Sequence, residues 1–373
     1  MRCPFRAHRP LSVWFGCFVL LGFLAQQGHA EPVLSDIGTT PVDVEQNASR
    51  LNVSVAVLDP GIPADESVHR DLDVFPRIRR VEALFLPFII RQTLVEMDEW
   101  GAVRVVPKAD PSAEVGVTGT IISSDGETLV LHVRAADASG RIWIDRQFTG
   151  SVSDDYADND NGSGSPGYQL LYDEIASELL RVRNTLNNKE KITIAEISLL
   201  RYGLQIAPAA FGDFVTTSPD GGITVIRLPA ENDPMIERIA LVRSTEYVIT
   251  DAIDTKYREL HAEIAIVYDT WREFRRKTLH YAKEDARRAT DTEDDGEHGS
   301  YEELRNAYDN YKYHRITEQE QDRLAVAFFT EVGPTIEAME IRVGELQAWV
   351  EEKYAEWQRI LEELFEVETG LPE

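Results

Sequence analysis

The period of the apolar residues changes at Trp100 and Gly101, and that change constrains the fold more than any other feature of the chain. Before it, Val81, Leu84, Phe85, Phe88, Ile89, Leu94 and Met97 recur at three- and four-residue steps, the spacing of a helix with one broad buried face. After it the period is two. Residues 102–106, 114–123, 128–136 and 141–148 read as strands, with Leu129, Leu131 and Val133 on one face and Val130, His132 and Arg134 on the other. Asp125-Gly126 and Ala138-Ser139-Gly140 supply turns, because glycine takes positive φ at little steric cost. The last three strands are therefore expected to form an antiparallel meander. Pro87 falls inside the helical pattern, where it would kink the helix or mark its first turn.

Residues 51–58 supply an earlier strand, ended by Asp59-Pro60-Gly61, and residues 168–185 a helix with Leu171, Ile175, Leu179 and Val182 on one face. Together these elements make a first domain over residues 51–187. Residues 188–373 form a second, mainly helical one. There, residues 192–206 end a helix before Pro208, residues 223–228 suggest a short strand, and Asp233 caps a helix that carries Pro234 at its first position. Ile253, Tyr257, Leu260, Ile264, Val267, Trp271 and Phe274 then trace a heptad seam. A second seam runs through Ile336, Met339, Val343, Leu346, Val350, Lys353, Trp357, Ile360 and Leu364, broken in polarity at Lys353. Tyr301, Leu304, Tyr308 and Tyr311 keep the same spacing between them, and Gly333-Pro334 separates the last helix. The two seams can satisfy each other within the chain, or one can recruit a second protomer. The expected class is α+β: a small mixed or antiparallel sheet with helices on one face, followed by a long-helix, coiled-coil-like bundle.

Residues 1–30 read as a cleaved secretory leader. Arg2, Arg6 and Arg9 precede the apolar run 11–25, and Gly28-His29-Ala30 places small residues at the cleavage positions. The run is shorter than a bilayer span, and no second long apolar run follows, so no membrane span is expected in the mature chain. Residues 31–50, polar and without periodicity, read as a linker. Both cysteines, Cys3 and Cys17, lie in the leader. Cys17 sits mid-run, not at its end, so lipidation is not expected, and the mature chain carries no disulfide. The reading is periplasmic. The full chain carries a formal charge of −27, and removing the leader leaves 35 basic residues against 65 acidic ones. Such a surface repels phosphate backbones, which argues against nucleic acid as a partner.

Candidate chemistry is sparse. The acidic stretch at 154–167 lacks the spacing of a calcium loop. A second stretch has it: Asp291, Glu293 and Asp295 stand at positions 1, 3 and 5, Gly296 at 6 and Glu302 at 12, a carboxylate pattern that could wrap calcium. Glu at position 3 and His298 at position 8 depart from that pattern. The chain has no G-x-S-x-G, no G-x-x-x-x-G-K-[ST] and no H-E-x-x-H. His261 and His280 are too far apart along one straight helix to share a ligand. His132 has no partner visible in the sequence.

The strings V-x-V-A-V-L at 53–58, W-G-A-V-R-V-V-P at 100–107, V-T-G-T-I at 117–121 and D-A-S-G-R-I-W at 137–143 resemble the TolB amino-terminal-like α/β domain, over residues 51–185. Similar modules occur in curli-secretion and flagellar outer-membrane accessory proteins. The resemblance implies an envelope protein that acts through assembly without catalysis, and it fixes no functional residue. The expected function is thus a non-enzymatic periplasmic adaptor or assembly protein with envelope proteins as partners, or with a second copy of itself through the helical seams, and with no cofactor. The alternatives are a calcium- or ligand-responsive periplasmic binding protein and, further off, an envelope-polymer hydrolase.

Overall fold

The computed structural model describes residues 50–69, 71–151, 168–217, 223–227, 229–230, 233–293 and 301–369. Residues 1–49, read above as leader and linker, and the acidic stretch at 154–167 lie outside them. The class is α+β: a five-stranded mixed sheet with helices, joined to a set of long helices.

The sheet comprises β1 (Val53–Ala56), β2 (Val103–Val106), β3 (Val115–Ser124), β4 (Thr128–Asp137) and β5 (Ile142–Ser151), in the order β2-β1-β3-β4-β5. β1 pairs in parallel with both β2 and β3, while β3, β4 and β5 form the expected antiparallel meander. Gly126 and Gly140 close its turns at φ +94° and +88°. Gly126 is also a point of close approach, since a Cβ there would stand 2.5 Å from Cβ of Arg275.

Helix α1 (Pro76–Glu96) links β1 to β2 and runs unbroken through Pro87. The missing proline N–H leaves the carbonyl of Ala83, four residues back, without its helical donor. The backbone N–H of Leu58, at the end of the β1 segment, donates to that carbonyl at 2.9 Å. The sequence pattern suggested one broad buried face, but the middle of α1 is buried on every side: Ile78, Leu84, Phe85, Leu86, Phe88 and Ile90 all lie in the core. One side meets the sheet and the other meets helices from the second half of the chain. A helix that is apolar all round has to be enclosed in this way.

Helix α2 (Gln169–Arg183) covers β5. Helix α3 (Asn188–Ile206) starts with a capping box between Asn187 and Glu190 and is followed by the short turn α4 (Pro208–Phe211). The two-stranded ribbon of β6 (Val215–Thr217) and β7 (Ile223–Val225) leads to α5 (Pro234–Glu293), whose Met235 N–H is capped by Asp233. At 60 residues, α5 is about 90 Å long if straight. α6 (Tyr301–Glu331) and α7 (Gly333–Thr369) complete the chain.

Buried Ile253, Tyr257, Leu260, Ile264 and Trp271 of α5 follow the expected seam and share one core with α1 and with Ile336, Met339, Val343 and Val350 of α7. The second seam then departs from expectation. Ile360 and Leu364 are exposed, and the chain buries Leu361 and Phe365 instead. Lys353 stands at the would-be core position and pairs with Glu356; Tyr354, one residue on, packs against the core. The step from Leu346 to Val350 to Tyr354 is four and four, which rotates the buried face past the heptad line. Tyr308 and Tyr311 on α6 are exposed too, so the tyrosine series does not continue the seam there.

Candidate functional site

Helix α5 is the element around which the polar chemistry of the molecule gathers. Near its start Arg243, almost fully buried, donates to the carbonyls of Ser198 on α3 at 3.2 Å and Ser112 at 3.0 Å, and to the Tyr247 hydroxyl at 2.7 Å. Ser112 belongs to the connection 107–114, which must return from β2 to β3 across β1 and therefore lies over the sheet face opposite α1. Its carbonyl also accepts from the Ser198 hydroxyl at 2.6 Å. Further along, Asp251 takes Arg104 of β2 at 2.6 Å, and Asp254 takes Arg91 of α1 at 2.9 Å.

His261 lies between Phe85 and Phe88 of α1, at centroid distances of 4.5 and 4.4 Å. Its Nε2 is buried without a hydrogen-bond partner, and burial pushes the imidazole down to about 4. Two turns on, the Tyr268 hydroxyl donates at 2.8 Å to Oε1 of Glu82, which has no exposed surface and also accepts from the Ser124 hydroxyl. Oε2 of Glu82 stands 3.8 Å from Nε of Arg79, near enough to attract and too far to hydrogen-bond. Burial pushes the Glu82 carboxyl up to about 7, against the two hydroxyl donors and the charge of Arg79. Burial likewise lowers the Arg79 guanidinium, which donates at 3.0 Å to the Ile121 carbonyl. Arg275 then bonds Asp73 at 2.9 Å and the Asp125 carbonyl at 3.1 Å.

This succession of anchors fixes one side of α5 to the sheet and to α1. The opposite side is different. Leu241, Val248 and Ile266 are 60%, 70% and 71% exposed and fall within about 20° of one another around the helix. The three positions span roughly 37 Å at 1.5 Å per residue, with exposed Thr255 and Glu259 on the same side between Val248 and Ile266. Ala252, also exposed, lies along the same line. On α7, Trp349, Ile360, Leu364 and Val367 are exposed within a sector of about 60°.

The residues with calcium-loop spacing do not form a described site. Asp291 and Glu293 fall in the last turn of α5 and Glu302 in the first turn of α6; Asp295 and the side chains of the other three lie outside the described residues. Among the described residues no cluster of three metal-ligating side chains occurs. His132 does have a partner: its Nε2 stands 3.0 Å from Asp145 on β5. Sequence reading missed it because Asp145 becomes a neighbour once the β4–β5 register is known. It also missed the Arg79–Glu82 pair, although two charges one turn apart within an apolar helix were a usable signal. No family model matches the chain, and no curated protein or solved structure matches it either.

Proposed function

We propose that this chain is a non-enzymatic adaptor or assembly protein of the bacterial envelope, exported to the periplasm, which works through protein–protein contacts along α5. The observation that carries the reading is the outer stripe of Leu241, Val248 and Ile266 on a helix whose inner side is already occupied. Exposed apolar side chains spaced along one side of a surface helix, with Glu259 among them, suit an amphipathic helix of a partner that docks by its own apolar side and carries basic residues beside it. The formal charge of −27 disfavours a second copy and favours a partner rich in Lys and Arg around that line. The leader at residues 1–30 and the resemblance of residues 51–185 to TolB amino-terminal-like domains support the compartment. Among the described residues no helix is long and apolar enough to cross a membrane.

A photo-reactive residue at Val248 tests the reading in intact cells. We expect a discrete cross-linked envelope protein, and we expect it to fall about tenfold when Leu241, Val248 and Ile266 are all changed to serine. Exposed substitutions of this kind leave the fold almost unchanged. Equal yields of the same cross-link from the triple variant would remove the basis for the proposal.

A further inference from the structure

A groove of about 440 Å³ opens on the sheet face opposite α1, beside the connection 107–114. Ser54, Gly116 and Ala136 form one row of small residues across β1, β3 and β4, and this row leaves the space that the groove occupies. Ala56, Val106 and Pro111 give it an apolar side. Arg134 and Arg201 line it as well.

Its acceptors are already used. Asp137, buried, takes the Ser139 hydroxyl and the N–H groups of Ser139 and Arg141 on one oxygen and the Trp143 indole N–H on the other. Asp110 takes the N–H and hydroxyl of Ser112 on one oxygen, and its other lies 3.6 Å from Arg243. Its arginine donors are used far less. Among the described residues no hydrogen bond or ion pair reaches Arg201, whose Nε is buried without a partner, although Asp110 and Asp137 of the same groove attract its charge from further off. Arg134 has a single ion pair, with Asp145 at 4.0 Å, and Asp145 also serves His132. In a chain where acids far outnumber bases, two arginines left with spare donors in one groove call for an outside acceptor.

We infer that this groove binds a small organic monoanion, a carboxylate carrying a compact apolar body, with Arg201 and Arg134 as the anion donors. The planar guanidinium fork suits a carboxylate, the apolar side suits a hydrocarbon body, and the strongly negative chain penalises a dianion such as phosphate. The inference is independent of the contact surface on α5.

The test follows the backbone amide resonances of Gly116, Thr118 and Ala136 in the full chain, titrated separately with hexanoate, hexanol and inorganic phosphate. Saturable shifts with hexanoate, absent or much smaller with hexanol and phosphate, are expected, and Arg201→Gln should weaken hexanoate binding about tenfold. Equal shifts with hexanol, stronger binding of phosphate, no shift with hexanoate, or an Arg201→Gln variant that binds hexanoate unchanged would each overturn the inference. The three titrations of the unaltered protein decide it even if the variant fails to fold.

Discussion

Glu82 and His261 sit on the same interface, between α1 and α5, and burial displaces them in opposite directions. Glu82 holds its proton up to about pH 7 in the folded chain against an ordinary value of 4.5. The folded state therefore binds the extra proton, and this contribution to stability falls as pH rises from 4.5 to about 7. His261 gives up its proton down to about pH 4 against an ordinary 6.5, so its contribution falls as pH drops from 6.5 to about 4. Between 4.5 and 6.5 the two slopes oppose each other. Arg79 and Arg272 place positive charge beside Glu82, and the neutral hydroxyls of Ser124 and Tyr268 donate to it. Glu82→Gln should unmask a stability that rises with pH, and His261→Leu one that falls. The Glu82 effect between about pH 5 and pH 8 should exceed about 1 kcal/mol; the His261 effect over that range should be smaller, because it is confined to the part below pH 6.5. Urea midpoints across that range check both, and parallel pH profiles for wild type and variants would contradict the assignment.

Among elements, the strands and their turns were legible because period two and a glycine at positive φ are local properties. The last helix was legible in part. A heptad extrapolated through Lys353 places Ile360 and Leu364 in the core, whereas the straight 3.6-residue helix turns Leu361 and Phe365 inward, against Phe211 and Ile239. Leu361→Ala should accordingly cost about 2–5 kcal/mol, and Ile360→Ala less than about 1 kcal/mol. Denaturant unfolding of the two variants separates the registers, and equal losses would restore the heptad reading. The Arg243 anchor was not legible at all. Its acceptors at Ser198 and Ser112 lie 45 and 131 residues away, and nothing local marks an arginine destined for burial. Groove and stripe were equally hidden, because each depends on which surfaces other elements leave uncovered.

For the whole molecule, the core does not respect the change from sheet to long helices at residue 187. A continuous cluster extends from Leu51 through α1 to Trp271 of α5 and Val350 of α7. Phe85 and Phe88, which sequence periodicity assigns to one module, are covered by residues nearly two hundred positions downstream. A fragment of residues 50–187 should therefore expose the outer side of α1, bind a hydrophobic dye and melt well below the full chain. The full chain should unfold in one cooperative step over its described core. Calorimetry tests this directly: a separate transition matching that of the fragment would show that the helices add little to the sheet.

The Pro87 arrangement has a mechanical side. A helix packed by side chains alone can slip along its neighbours by one turn, about 5.4 Å, and find comparable grooves again. α1 cannot do so cheaply. Sliding would take the Ala83 carbonyl away from the Leu58 N–H, and the proline four residues on offers it no substitute donor. The imino acid thus acts as a ratchet stop, and a load applied to α5 would reach the sheet through a helix held in a single axial position.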